Sequence, residues 1–136
     1  MKRTVRSDFG EVSVRDTGTI HARIFPGQEI DLKRAIEYHE LIVYLSSNQP
    51  HVSVIDITGI ASISSDARER LQKNSSEWGN TLAVALIINS FTARVIGNFF
   101  LTMNKPVYPI KLFSDPVMAH QWARNEYEKQ TRKLAS

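Results

Sequence analysis

One run constrains this chain more than any other: Leu82-Ala-Val-Ala-Leu-Ile-Ile88 is apolar at every position. A strand buried on one face alternates apolar and polar residues. A run apolar on both alternations belongs in the middle of a sheet covered on both sides. Such a strand needs layers above and below it, which points to an α/β architecture. The run has strand length and falls far short of the roughly 18 residues that span a bilayer. A second buried strand is read over residues 52–57, Val-Ser-Val-Ile-Asp-Ile, followed by a short loop and a helix opening at Ser64 or Ser65.

The rest of the chain supplies the remaining elements. Glu11-Val-Ser-Val-Arg-Asp16 and Thr19-Ile-His-Ala-Arg-Ile24 alternate around Thr17-Gly18, the pattern of a hairpin whose turn uses a glycine. Its core side would carry Val12, Val14, Ile20, Ala22 and Ile24, and residues 4–9 could add a leading strand. Pro26-Gly27 breaks the second strand, and Asp31 is a good N-cap for a helix with Leu32, Ala35, Ile36, Ile42 and Val43 at helical spacing. That helix should end near Ser46-Ser47-Asn48, ahead of Pro50. The helix after the central strand should run to about Ser75, with Gly79-Asn80 as a stop signal.

Asn89-Ser90 can cap a further helix that places Phe91, Val95, Phe99 and Met103 on one stripe, stopped by Asn104 and Pro106. Such a stripe is ordinary core or, alternatively, the lining of a pocket. A last strand over 107–113 contains Pro109, and the missing N–H assigns it to a sheet edge. Asp115-Pro116 opens a final helix with Ala119, Trp122 and Ala123 facing in, and the polar residues 128–136 should fray. The expected order is β-β-α-β-α-β-α-β-α: one α/β domain over residues 1–136, its core at about 11–127, with a mixed sheet and about four helices.

Composition narrows the function classes. A chain of 136 residues with 42% hydrophobic and 23% charged residues can bury a core without staples. It has no cysteine, which excludes thiolate catalysis, disulfides and Cys-ligated metals, and suits a cytoplasmic protein. Residues 1–9 lack the apolar segment of a secretory signal, so no transmembrane segment and an intracellular location are expected. The net charge of +3 is spread among charges of both signs, and the basic clusters lie only at the termini, so nucleic acid is not an expected partner.

Catalytic patterns do not assemble. The phosphate-loop, dinucleotide and nucleophile-elbow motifs are absent. His21, His39, His51 and His120 fall on different elements without metal-ligand spacing, so neither a metal nor a cofactor is expected. The pairs Glu37/Glu40 and Asp66/Glu69 sit one helical turn apart, where carboxylates usually belong to a solvated face.

Two places stand out. Ser64-Ser65-Asp66 lies at a strand-loop-helix junction, where a serine is either an N-cap or a phosphorylation site that a helix N-terminus would tolerate. Asn89-Ser90-Phe91-Thr92-Ala93-Arg94 ends the other buried strand. Ligands of open α/β sheets bind at the carboxyl ends of strands, and Arg94 could pair with an anion there. The alternative is a plain cap with a surface arginine.

With these residues in view, the chain resembles the STAS superfamily, the anti-sigma-factor antagonist fold. The order of elements is similar from Glu11 to about Tyr127, and Val54-Ile-Asp56-Ile-Thr58-Gly59-Ile60 is similar to the family's strand ending in D-x-S-G-V. The family then has D-S-S-G at a helix start, its first serine phosphorylated by a partner kinase. Ser65 matches that serine, Ser64 stands in place of the aspartate and Ala67 in place of the glycine. The stretches 82–88 and 111–122 look like the SpoIIAA-like branch, which also resembles CRAL-TRIO lipid-transfer domains.

The resemblance implies a non-enzymatic bacterial regulatory domain binding a regulatory protein, with Ser65 or Ser64 as phosphorylation site. Asp56, Thr58, Gly59, Asp66, Asn89, Ser90 and Arg94 would form the partner or ligand rim. The alternative is a carrier of a lipid or small anionic ligand. Consecutive Phe99-Phe100-Leu101 cannot all face one core, which suggests a homodimer.

Overall fold

The computed structural model describes residues 3–16, 18–73, 80–102 and 108–135. Several expected boundaries, at Thr17, Ser75, Gly79, Met103, Asn104, Pro106 and Val107, lie outside the described residues. The strands are β1 (Arg3–Arg6), β2 (Gly10–Asp16), β3 (Thr19–Ile24), β4 (Gln28–Ile30), β5 (His51–Asp56), β6 (Ile60–Ile63), β7 (Thr81–Ile87) and β8 (Ile110–Phe113). The helices are α1 (Leu32–Ser46), α2 (Ser65–Lys73), α3 (Phe91–Thr102) and α4 (Pro116–Ala135).

Six strands form one mixed sheet in the order β1-β2-β3-β5-β7-β8. β1, β2 and β3 are antiparallel, while β3, β5, β7 and β8 run parallel. The apolar run is therefore interior: β7 lies between β5 and β8. β8 is an edge strand as expected, but it begins at Ile110, so Pro109 stands just ahead of the strand and not inside it. In place of a ladder donation, Pro109 accepts from the Val84 N–H through its carbonyl at 2.9 Å.

Helices cover both faces. α4 packs on β3, β5, β7 and β8; α1 lies against β2, β3 and α2, and α3 against β6 and β8. Alternation along the central strands explains the two layers. Val52 and Val54 of β5 and Ala83, Ala85 and Ile87 of β7 meet Ala119 and Ala123 of α4. Ile88 joins Ile57, Ile60, Ala67, Ala93 and Ile96 in a separate cluster on the other side. Burying a valine or isoleucine fully stabilises by about 1.5–3 kcal/mol, so these positions specify which face each helix takes.

Both ends of α1 follow their residues. Asp31 caps the start by accepting from the Arg34 N–H at 2.9 Å, and Ser47 and Asn48 adopt left-handed φ of 53° and 56° to close the end. At the hairpin, Gly18 has φ of 80°, and a Cβ there would run into the Tyr127 ring of α4. The turn needs a glycine for its backbone and for this close approach.

Four expectations are corrected. β4 and β6 were not foreseen; they pair with each other as a separate parallel two-stranded sheet. Such short segments carry too few residues for a legible period. α4 continues to Ala135, past the end expected near Glu128, because its last turns carry helix-forming residues with Arg132 and Lys133 at the favourable C-terminal end. Val43 of α1 is exposed, and Leu45 fills the inner position instead.

The fourth concerns α3. Its inner face is Ala93, Ile96 and Gly97, whereas Phe91 is 84% exposed and Val95 52%. Of the stripe read as core, Phe91 and Val95 point outward and Phe99 is half-buried. Gly97 explains the choice: a Cβ there would be 3.0 Å from Leu112 and 3.5 Å from Ile88, so the helix lies close on its small residues.

Candidate functional site

The candidate rim is built where β5 and β7 end. Asp56 closes β5 and folds its carboxylate back, accepting the Thr58 N–H at 2.9 Å. This Asx turn redirects the chain out of the sheet. The Ile57 N–H donates to Ile87 O at 3.0 Å, so the loop is still tied to β7 as it leaves. Gly59 then passes close to the Pro26-Gly27 turn. The Gly27 N–H donates to Gly59 O at 2.8 Å, and a Cβ on Gly59 would be 2.8 Å from Pro26 Cα. The loop requires a glycine at this crossing.

β6 delivers the chain to α2. Ser64 is the N-cap: its hydroxyl accepts from the Ala67 N–H at 3.2 Å, and its carbonyl accepts from the Arg68 N–H at 3.0 Å. The same hydroxyl donates to Asp66, whose carboxylate also accepts from the Ala67 N–H at 2.9 Å. Ser64 is thus committed to the helix start, and its own N–H is held by Ile30 O at 2.9 Å. Ser65 follows as the first helical residue and is exposed, as is Asp66. Ala67, standing where the family pattern has glycine, is wholly buried in the core cluster.

Ser90 brings the second junction to the first. Its hydroxyl accepts from the Ala93 N–H at 3.1 Å as the cap of α3, and donates to Thr58 O at 3.0 Å. One side chain therefore caps a helix and holds the Asp56-to-Gly59 loop. Asn89 and Arg94 are exposed beside it. The residues singled out in the sequence thus fall at two adjoining strand-helix junctions, linked through Ser90 and Thr58.

Two neighbours were not foreseen. Arg68 of α2 lays its guanidinium 4.6 Å from the centre of the Phe99 ring of α3, a cation–π contact joining the helices behind the rim. The Pro26-Gly27 turn supports Gly59 from β3 and β4. The local sequence around Arg68 gives no sign of Phe99; Pro26-Gly27 was legible as a turn, not as a neighbour of the rim.

The remaining candidate groups lie elsewhere. His21 and His120 meet edge to face, ring centres 4.4 Å apart, joining β3 to α4. His51 is buried, with Nδ1 2.9 Å from Gln49 O and Nε2 3.3 Å from the Thr81 hydroxyl. Burial pushes its pKa below 6.5, partly opposed by the Gln49 carbonyl. Burial pushes the Tyr38 and Tyr108 hydroxyls up, Tyr38 further through the charge of Tyr108. His51 begins β5, Tyr38 lies within α1 and Tyr108 precedes β8, so none of the three shifted groups is among the rim residues. Among the described residues no group of three or more His, Asp or Glu gathers in metal-binding geometry, and no helix is long and apolar enough to cross a membrane.

Of the three consecutive residues that suggested a homodimer, Phe100 packs on the core, Phe99 lies under Arg68, and Leu101 is exposed.

A family model described as a domain of unknown function, DUF7793, matches residues 13–126, nearly the whole fold. The chain belongs to the DUF7793 family. No curated protein matches it. Three solved structures share the fold of this DUF7793 chain. An uncharacterised protein of the DUF3478 family with a SpoIIAA-like fold, from Shewanella loihica PV-4, is 18% identical with a TM-score of 0.57, covering 90% of this chain and 92% of its own. The anti-sigma factor antagonist SpoIIAA in its unphosphorylated form is 13% identical with a TM-score of 0.57, covering 85% and 97%. An anti-sigma factor antagonist from Mycobacterium paratuberculosis is 19% identical with a TM-score of 0.54, covering 91% and 95%. The DUF7793 chain has the SpoIIAA-like, STAS fold that its element order resembled.

Proposed function

We propose that this DUF7793 chain is a non-enzymatic regulatory domain of the bacterial cytoplasm. It binds a regulatory protein through the rim of Asp56, Thr58, Gly59, Ser65, Asp66, Asn89, Ser90 and Arg94. The fold shared with two anti-sigma factor antagonists supports this reading. The observation that carries it is the division of labour between adjacent serines. Ser64 is bound into the cap of α2, while Ser65 is exposed at the first helical position.

A phosphate on Ser65 would sit at the helix N-terminus, where free N–H groups and the helix dipole favour negative charge. The same phosphate on Ser64 would cost the cap, about 1 kcal/mol. Ser65 is therefore the modification site of this reading. Asp66 beside it adds like charge, so modification would change the rim's electrostatics as well as its shape.

The test is affinity for the partner captured from the protein's own cells. Ser65→Asp should weaken binding by about tenfold, or 1.4 kcal/mol, and Ser65→Ala should leave it near the wild-type value. Equal affinity for all three proteins would refute the switch. A phosphate found by mass spectrometry on Ser64 alone would move the site.

A further inference from the structure

Phe91 is the most exposed large apolar side chain among the described residues, at 84%. With Val95 and Phe99 it forms one i, i+4, i+8 ridge along α3, the kind of ridge that seats in the groove of another helix. The ridge is anchored at its far end. Phe99 stacks edge to face on Phe100, ring centres 5.8 Å apart, and Phe100 packs against the core. Arg68 of α2 lies over the other ring.

Charge selects the occupant. α3, Phe-Thr-Ala-Arg-Val-Ile-Gly-Asn-Phe-Phe-Leu-Thr, carries one charged residue, Arg94, and no carboxylate. Arg94 flanks the ridge between Phe91 and Val95, and the Arg68 guanidinium borders it at Phe99. A second copy of α3 packed on this ridge would bring arginines and no acids. An interfacial membrane helix needs a polar face rich in Lys and Arg, which a lone arginine does not supply. We infer that the α3 ridge docks an acidic amphipathic helix of a protein partner. Its apolar residues, at i, i+4 spacing, would cover Phe91 and Val95, and flanking carboxylates would meet Arg94 and Arg68.

This inference rests on the rim being a protein-binding site and adds the chemistry of the partner. It is tested on the full chain by NMR titration with two synthetic peptides of about 18 residues, long enough to hold a helix. Both carry leucines at helical spacing; one has glutamates on the flanks and the other lysines. The glutamate peptide should bind at least about tenfold more tightly, with shifts centred on residues 91–99. Phe91→Ala should weaken it roughly thirtyfold, as truncation of a central aromatic anchor does. Both the ridge and Arg94 are exposed, so Phe91→Ala and Arg94→Gln should leave the fold intact.

Equal affinity for the two peptides, no binding of either, or binding untouched by Phe91→Ala would each overturn the inference. So would concentration-dependent self-association through α3 without peptide, or a preference for anionic phosphatidylserine vesicles over the glutamate peptide. Ser65→Asp separates this inference from the regulatory reading. Retained peptide binding by that variant, with unchanged partner affinity, would remove the switch and keep the ridge. Lost partner affinity with no peptide discrimination would do the reverse.

Discussion

Two helices of this DUF7793 chain pack on the sheet in opposite ways. α4 covers the interior strands with alanines: Ala119 and Ala123 are wholly buried against Ala83, Ala85, Val52 and Val54. α3 also approaches on small residues, Ala93 and Gly97, but its largest outward residues, Phe91 and Val95, are exposed. Both helices are held by what lets backbones come close. They differ in the face left outside, which is mixed and mostly polar over much of α4 and carries an apolar ridge on α3. On α3, where Leu112 and Ile88 lie beneath Gly97, size at the contact more than hydrophobicity decides which side of the helix faces in.

The sharpest way to break the comparison is a pair of truncations on one helix. Ile96→Ala removes a core side chain of α3 and should cost about 2–5 kcal/mol, whereas Phe91→Ala should stay within about 0.5 kcal/mol. Urea unfolding of the two variants measures both; similar costs would mean that the ridge is part of the core. The next test enlarges a contact. Ala119→Leu pushes a larger side chain into the closed layer between α4 and the central strands, and should destabilise by about 1–3 kcal/mol through overpacking. A neutral result would mean that α4 can lift from the sheet.

The same contrast explains what could be read from the residues beforehand. The run at 82–88 located an interior strand because every position in it is apolar, and Pro109, which stands just ahead of β8, pointed to the strand that lies at the edge. Asp31, Ser64 and Ser90 marked helix starts because caps have a local chemistry. The α3 stripe was misread for a physical reason: Phe91, Val95 and Phe99 have helical spacing on either face, and only the proximity of Leu112 to Gly97 decides between them. That contact is between residues distant in sequence, as are Arg68 with Phe99 and Ser90 with Thr58. Local patterns placed the rim residues at the ends of the right strands, and the tertiary contacts that lock them together were beyond reach. β4 and β6 were too short to show a period at all.

A smaller effect sharpens the comparison at the ends of the helices. Ser90 caps α3 and holds Thr58 O, so Ser90→Ala removes two hydrogen bonds and should cost about 1–2 kcal/mol. Hydrogen exchange should then rise at the amides of Thr58 and Ala93 together, since one side chain serves both segments. A rise at Ala93 alone would mean that the loop is held by the Asp56 turn and the Gly27–Gly59 crossing without help from α3.

The smallest expected difference lies between neighbours on α2. Ser64→Ala should cost about 1 kcal/mol through the lost cap, moderated by the Asp66 carboxylate, which already accepts the Ala67 N–H. Ser65→Ala should fall within about 0.5 kcal/mol, because Ser65 is exposed and alanine is the better helix former. Thermal unfolding of the two single variants measures the gap. Equal costs would mean that Ser65 shares in the cap, and a phosphate there would then disturb the start of α2. A gap of the expected sign leaves Ser65 free to carry a charge while Ser64 keeps the helix in place, which is what a modification that changes binding without unfolding the domain requires.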